Sequence, residues 1–264
     1  MKIYKYWAME KGRVRIGQED KEIKCYGGSN YSINEAVDKA REKVAKVQRR
    51  IAGDKHVWDD YEVEIREEIV HVVDKDSVIT RNRYGAQVLN ARNLMILDID
   101  KPQKSFLDIF SRSRDNKTRI VAMVRKLSQK PTYKSYGFRI YETFKGIRVI
   151  VLGKDFDPKD THTETMMKDF NCDELYALLC KKQDCFRARL TPKPARMKLQ
   201  RYKVTFPRAR QEELEFRNWL SDYEAASRNF SVCKLIEQIG HGYISEAVRL
   251  HDEISGVQWN QQLA

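Results

Sequence analysis

The order of the secondary-structure signals between residues 94 and 191 is the feature that most restricts the fold. A short apolar segment at 94–100 predicts a strand that ends before Pro102, because proline interrupts the hydrogen bonding of a strand. The segments that follow alternate in type: helical spacing at 105–129, strands at 137–143 and 147–152, helical spacing at 162–183 and a strand at 185–191. The central segment therefore predicts the order β-α-β-β-α-β.

This order is that of a ferredoxin-like or RRM-like unit, and it predicts the α+β fold class. In such a unit the four antiparallel strands lie in the order 4-1-3-2, with both helices on one face. The end of strand 1, the turn between strands 2 and 3 and the start of strand 4 then meet at one end of the sheet. Side chains at these three places are therefore expected to lie close together.

Two further segments flank the central unit. Strand and turn signals over 3–30 precede Ser32-Ile33-Asn34-Glu35, whose capping-box pattern predicts a helix that continues to about residue 51. The basic side of this helix is interpreted as a solvated face. Residues 203–206 suggest one more strand, and 208–254 are mostly helical in pattern. We expect an N-terminal α/β module at 1–90, the central unit at 91–200 and a C-terminal helical segment at 201–264.

The positive charge of the chain is local. Its 50 Lys and Arg against 38 Asp and Glu give a net charge of +12. Residues 101–200 contain 23 of those basic side chains and 11 of the acidic ones, whereas the flanking segments are close to neutral. Because a charge that serves only solubility would be spread evenly, this concentration indicates a polyanionic partner such as nucleic acid or nucleotide phosphates.

The same sequence excludes several classes of protein. No apolar run approaches the roughly 18–20 residues that span a bilayer, so no membrane partner is expected. The five cysteines contain no CxxC pair, which argues against a zinc module and a disulfide framework. We therefore expect a cytoplasmic protein.

Asp98 and Asp100 are the candidate catalytic and metal-binding residues. They end the first central strand and are two positions apart, so both project from the same face. Neighbouring carboxylates repel each other and raise each other's pKa unless a cation lies between them. Mg²⁺ or Mn²⁺ takes oxygen ligands, often one or two carboxylates together with substrate phosphates. A structural cluster of ion pairs with the nearby arginines is the simpler alternative.

Basic residues are expected on the same open face of the sheet. If Val149 and Val151 point towards the helices, Arg148 points away from them, and the same alternation applies to the other strands. The candidate nucleotide- or phosphate-binding residues are Thr143, Lys145, Arg148, Arg187 and Arg189. The candidate nucleic-acid-binding residues are Arg139, Tyr141, Lys193 and Arg196. Arginines bind phosphate in a bidentate manner, and Tyr141 would stack on a base.

The motifs resemble those of the archaeo-eukaryotic primase–polymerase superfamily. That family has an RRM-like palm with a hydrophobic-Asp-hydrophobic-Asp strand, which here is Leu97-Asp98-Ile99-Asp100. Residues 82–89 are similar to the strand that leads into this motif. Residues 143–151 are similar to the second motif, with Arg148 in place of its histidine. The similar stretch covers roughly residues 80–195, and the third motif of the family, a further carboxylate, has no clear counterpart.

The resemblance implies a metal-dependent nucleotidyltransferase that polymerises nucleotides on a nucleic-acid template, as a divergent or replication-initiator-like member. Nucleoside triphosphates and nucleic acid would be its partners. The alternative is a non-catalytic RNA- or DNA-binding protein that uses the RRM-like sheet. A nuclease acting on RNA is a third, weaker interpretation. Dependence on a divalent metal separates the first interpretation from the second.

Overall fold

The computed structural model describes residues 1–54, 63–101, 115–203 and 206–264. The strands are β1 (Tyr6–Ile16), β2 (Glu19–Ser29), β3 (Glu68–Val72), β4 (Ser77–Arg81), β5 (Gln87–Ala91), β6 (Ile96–Ile99), β7 (Gly137–Thr143), β8 (Ile147–Leu152), β9 (Phe186–Arg189), β10 (Phe230–Ser231), β11 (Cys233–Ile239) and β12 (Gln262–Leu263). The helices are α1 (Ile33–Ile51), α2 (Asn116–Ser128), α3 (Thr161–Asp169), α4 (Glu174–Gln183), α5 (Arg210–Ser227) and α6 (Glu246–Ile254). The predicted α+β class is confirmed.

The N-terminal hairpin and α1 form one packed layer. β1 and β2 pair antiparallel along their whole length, from Tyr6↔Ser29 to Ile16↔Glu19. The predicted cap of α1 is confirmed, since the Ser32 side chain accepts a hydrogen bond of 3.1 Å from the Glu35 amide. α1 packs closely on β2, where a Cβ at Gly27 would collide with the carbonyl oxygen of Ala36. Glycine at this position therefore lets the helix approach the strand.

The central sheet has the order β11-β7-β8-β6 and is antiparallel throughout. Two of its three pairings follow the predicted unit, because β6 pairs with β8 and β8 pairs with β7. In this register Asp98 on β6 lies directly opposite Arg148 on β8. The sheet thus places the first aspartate of the pair beside the predicted phosphate-binding arginine.

The fourth strand of the predicted unit lies elsewhere. β9 pairs with β5 in a second antiparallel sheet of order β3-β4-β5-β9, with Arg189 opposite Val88. β11, in the segment predicted to be mostly helical, pairs instead with β7. The predicted order 4-1-3-2 is therefore wrong for its fourth strand. Residue pattern identifies a strand, but the choice between two available edges depends on contacts distant in sequence.

The helical predictions also need correction. The helix predicted over 162–183 is two helices, α3 and α4, separated at Asn171, whose φ of 54° is left-handed. The part of the predicted 105–129 helix before residue 115 lies outside the described residues, as do residues 204–205 of the predicted 203–206 strand.

The expected segments at 1–90, 91–200 and 201–264 are joined by strand pairing. β5 pairs with β9 and β7 pairs with β11, so pairing crosses both expected segment boundaries.

Both faces of the central sheet are covered. On one face, Phe138 of β7 stacks against Phe170, which follows α3. On the other face, Tyr141 of β7 contacts His251 of α6 with ring centroids 5.0 Å apart. Every residue of β8 is buried, including Arg148. The predicted open polar face is therefore wrong, because α6 packs on it.

Among the described residues, no helix is both long and apolar enough to cross a bilayer.

Candidate functional site

A cleft of about 1540 Å³ brings together the ends of β6 and β9, the β7–β8 turn and the loop after β9. Nine of the eleven sequence-predicted site residues line it: Asp98, Asp100, Thr143, Lys145, Arg148, Arg187, Arg189, Lys193 and Arg196. β9 reaches this cleft from the second sheet rather than from the edge of the first. The cleft therefore lies between the two sheets instead of on the face of one.

Asp98 and Asp100 lie at the end of β6. Asp98 is half-buried and Asp100 is exposed. Burial raises the pKa of Asp98, and the negative charge of Asp100 adds to this, while Arg148 opposes it. Neither carboxylate has an ion-pair partner within 4 Å among the described residues, although several cations line the same cleft. The pair is thus a site where added positive charge would be favourable.

The β7–β8 turn closes tightly against this pair. The Thr143 hydroxyl accepts a hydrogen bond of 3.1 Å from the Gly146 amide and donates one of 3.0 Å to the Gly146 carbonyl. A Cβ at Gly146 would collide with the carbonyl oxygen of Ile99, so only glycine permits this approach. Thr143 therefore holds the turn, and its hydroxyl is already engaged, contrary to the predicted role in phosphate binding. Lys145 is exposed at the tip of the turn.

Arg148 is the most buried cation of the cleft, with only 5% of the residue exposed. Its Nη1 donates hydrogen bonds of 3.1 Å to the carbonyl oxygen of Arg189 and to Nε2 of His251. Its Nε is buried and has no hydrogen-bond partner in the described structure. A buried donor without a partner is unfavourable unless a ligand or water satisfies it.

Three further cations from β9 and the following loop share this environment. Burial, reinforced by Arg196 and Arg148, lowers the pKa of the Arg189 guanidinium to about 10. Burial and the charges of Arg189 and Arg196 also lower the pKa of Lys193. Burial lowers the pKa of Arg196, while Asp100 and Asp98 oppose this effect. Burial is thus the largest cause of all three shifts, and neighbouring cations add to it at Arg189 and Lys193.

Two of the eleven predicted residues do not reach the cleft. Tyr141 is fully buried and its hydroxyl donates to Asp252 of α6 at 2.8 Å. Arg139 is paired with the same carboxylate and with Gln238. The expected stacking of Tyr141 on a base is therefore wrong, because α6 covers the side of the sheet from which it projects.

Other lining residues were not singled out from the sequence. Tyr84 lies at the β4–β5 turn, with the guanidinium carbons of Arg83 and Arg201 at 4.9 and 5.0 Å from its ring centroid. The hydrogen bond from Arg83 lowers the pKa of Tyr84. Lys43 and Lys46 lie on the side of α1 that the sequence pattern assigns to solvent, yet they line the cleft. Their helical spacing was visible, but no local signal relates α1 to β6.

The cleft as a whole is strongly cationic. Its described lining contains fourteen Lys and Arg side chains and four acidic ones. The four acids are Glu64, Glu67, Asp98 and Asp100. Such a concave surface of one sign attracts and holds polyanions.

Within the described residues, no group of three or more His, Cys, Asp and Glu side chains is arranged to hold a metal ion. Glu142 pairs with Lys117, and Asp184 pairs with Lys159. The Asp173 side chain caps α4 by accepting from the Tyr176 amide. None of these three carboxylates therefore joins Asp98 and Asp100 as a free third acid.

Comparison of the chain with protein families, with curated proteins and with solved structures finds no match.

Proposed function

We propose that the protein is a metal-dependent nucleotidyltransferase of primase–polymerase type, which joins nucleotides on a nucleic-acid template. The observation that carries this proposal is the combination of two carboxylates without ion-pair partners and a group of unbalanced cations in one cleft. A divalent cation would supply the positive charge that the carboxylates lack. The phosphates of a nucleoside triphosphate would supply the negative charge that the cations lack. Carboxylates, metal and arginines together suit phosphoryl and nucleotidyl transfer.

Asp98 and Asp100 would hold Mg²⁺ or Mn²⁺. The fit rests on the oxygen donors of the two carboxylates, on the burial that raises the pKa of Asp98 and on the lack of a cation within 4 Å of either carboxylate among the described residues. Two carboxylates are enough when substrate phosphates complete the coordination. When bound, such a cation would lower the charge repulsion between the carboxylates and the phosphates and would stabilise the charge that develops on the transferred group.

The triphosphate would contact the cations around the two carboxylates. Arg148 offers a buried donor without a partner, and so does Arg189 through Nη1. Lys193 and Arg196 come from the loop that continues from β9, and Lys145 comes from the β7–β8 turn. Because these side chains project from three separate backbone segments, they can surround a phosphate chain instead of touching only one side of it.

The rest of the cleft would hold the nucleic-acid strand. Lys24 and Lys46 line the end formed by β2 and α1, and both are exposed. At the same end the Arg66 guanidinium carbon lies 3.4 Å from the centroid of the Tyr26 ring. Cations next to stacked planar groups suit the backbone and bases of a single strand. A strand held in this way would pass from α1 to the two carboxylates.

The test is a strand-extension assay with labelled NTPs and dNTPs, with and without Mn²⁺. We expect product only with the metal, and we expect Asp98→Asn to lower the rate by about a hundredfold to a thousandfold, as is typical when charge stabilisation at a reacting centre is removed. Asp20→Asn is the matched control, because Asp20 is exposed on the hairpin outside the cleft. Equal rates for Asp98→Asn and wild type would overturn the proposed chemistry.

A second candidate function is a non-catalytic nucleic-acid-binding protein. It is favoured by the observation that, among the described residues, no third carboxylate joins Asp98 and Asp100, since the other two acids of the cleft, Glu64 and Glu67, form ion pairs with Lys43 and Arg187. Its binding surface would be the cleft, because the sheet face first expected to bind is covered by α6. Binding would weaken steeply with salt but would not change with EDTA. Labelled oligonucleotide titrations with and without EDTA separate the two candidates.

A further inference from the structure

A chain of buried hydrogen bonds lies behind Arg148, on the side away from the cleft. His251 of α6 is fully buried, and its Nε2 lies 3.1 Å from Nη1 of Arg148. Its Nδ1 lies 2.9 Å from Oδ1 of Asp252. His251 is absent from the described lining of the cleft, so it does not contact a ligand there directly.

The direction of these hydrogen bonds is determined by the chemistry of the groups. A guanidinium group only donates, so Nε2 of His251 must accept, and the ring proton must lie on Nδ1. Nδ1 then donates to the Asp252 carboxylate. Burial, reinforced by the charge of Arg148, lowers the pKa of His251 to about 4, which agrees with a neutral ring. His251 therefore acts as a fixed acceptor and not as a second cation.

Asp252 is itself held from the outer side. Oδ1 of Asp252 accepts a hydrogen bond of 2.8 Å from the Tyr141 hydroxyl. Oδ2 of Asp252 pairs with Arg139. Burial by itself would raise the pKa of Asp252, but the hydrogen bonds from His251 and Tyr141 and the charge of Arg139 lower it. Two residues first assigned to nucleic-acid binding thus anchor the carboxylate that orients His251.

This network leaves one edge of Arg148 available. Nη1 is occupied twice, by Nε2 of His251 and by the carbonyl oxygen of Arg189. Nε is buried without a partner among the described residues. The Nε and Nη2 hydrogens of arginine point in the same direction and form the edge that binds two oxygens of a phosphate group.

We propose that His251 and Asp252 are positioning residues that hold Arg148 with its Nε–Nη2 edge towards a phosphate group in the cleft. This inference rests on the proposed function, since it assumes that phosphate binds there. It assigns to α6, outside the motif-bearing segment, a role in orienting the phosphate-binding arginine. Without the acceptor at Nε2, Nη1 would compete with the other nitrogens for ligand or water, and the guanidinium would lose its fixed orientation.

The experiment measures binding of inorganic tripolyphosphate in the presence of Mg²⁺ by calorimetry on the full chain. We expect Arg148→Met to weaken binding by at least about tenfold. We expect His251→Asn, which is too short to reach Nη1, to weaken it about fivefold, the loss typical of one hydrogen bond. His251→Gln places an amide oxygen near the position of Nε2 and should restore most of the affinity.

The decisive measurement is the double variant. If His251 acts through Arg148, adding His251→Asn to Arg148→Met causes no further loss of affinity. The matched control is His162→Asn, because His162 also hydrogen-bonds through Nε2, to the Tyr136 hydroxyl, but lies outside the cleft. This control is expected to lower stability without changing affinity.

The outcomes separate the two proposals. An unchanged affinity for Arg148→Met would overturn the phosphate site itself. If Arg148→Met weakens binding, and His251→Asn weakens it by the same factor in the Arg148→Met background as in wild type, only the positioning role is overturned. If His251→Asn does not fold, Asp252→Asn tests the same chain, because it weakens the acceptor that fixes the Nδ1 proton. A smaller loss of affinity that disappears in the Arg148→Met background supports the inference, and an unchanged affinity contradicts it.

Discussion

Two sets of cations line the same cleft, one with acidic partners and one without such partners among the described residues. The paired set consists of Lys43, Arg187 and Arg208, which form ion pairs with Glu64, Glu67 and Glu68 at 2.5, 2.5 and 2.9 Å. The unpaired set consists of Lys145, Arg189, Lys193 and Arg196, which have no acidic partner within 4 Å in the described residues. The first set belongs to elements that join the two sheets and α1, whereas the second lies around Asp98 and Asp100.

The difference distinguishes stabilising charges from binding charges. A cation that already has a partner has little to gain from a ligand, and its loss leaves a buried carboxylate uncompensated. A cation held near others without a partner is unfavourable in the free protein and becomes favourable when an anion binds. We therefore infer that substitutions in the two sets change stability in opposite directions.

The largest expected effect is the pH dependence of folding stability that arises from His251, the buried side chain behind Arg148. The pKa of His251 is lowered from 6.5 to about 4 in the folded chain, so between these values the unfolded chain binds the extra proton. The stability contributed by neutral His251 is present above pH 6.5 and is lost as pH falls through about 4, amounting to about 3 kcal/mol.

Denaturant unfolding of the wild type and His251→Gln between pH 7 and pH 4 measures this effect. The stability difference between the two proteins should shrink as the pH falls, because glutamine does not titrate. A constant difference over this range would show that His251 does not carry the acid sensitivity.

The next effect tests the paired set. Arg187→Met removes the partner of Glu67, a side chain that is only 12% exposed. We expect the free energy of unfolding to fall by about 2–3 kcal/mol, because the carboxylate remains partly buried without its cation. Urea unfolding measures the change, and the double variant with Glu67→Gln should recover part of it. Equal stability of Arg187→Met and wild type would remove the distinction between the sets.

A smaller effect of opposite sign tests the unpaired set. Arg189→Met removes a charge that burial and neighbouring cations disfavour. We expect the free protein to be more stable by about 1 kcal/mol, while tripolyphosphate binding weakens. Thermal unfolding with and without tripolyphosphate gives both quantities. A less stable free protein would contradict the idea that Arg189 is kept for binding.

The smallest effect concerns the end of the cleft near α1. Lys46→Glu should reduce the dependence of oligonucleotide binding on salt by about one to two units of the log–log slope, because fewer counterions are released. Lys21→Glu is the matched charge reversal, since Lys21 is exposed on β2 outside the cleft. Identical salt slopes for the two variants would mean that the strand does not pass α1.

Much of the local structure could be predicted because its signals are local. The capping box at Ser32 and Glu35 starts α1, and alternation identifies β7 and β8. The tight turn between β7 and β8 then forces these strands to pair, and the apolar β6 with its terminal aspartates takes the remaining edge of β8. The proximity of Asp98 and Arg148 could be expected for this reason.

The position of β9 and the role of α6 could not be predicted in this way. β9 has the same alternation whether it pairs with β6 or with β5, so its pattern does not select the edge. His251 and Asp252 belong to a helix whose pattern indicates only an apolar side for packing. Their contacts with Arg148 and Tyr141 depend on where α6 lies on the sheet.

The sequence by itself determined the strands that carry the two aspartates and Arg148, the local concentration of positive charge and the caps of several helices. These properties depend on periodicity and on neighbouring residues. Only the tertiary structure decided which cations lack partners, which side chains α6 buries and that α1 faces the same cleft. The physical reason is that ion pairing and burial depend on groups far apart in the chain. Whether a given Lys or Arg has an acidic partner therefore depends on which elements pack against it.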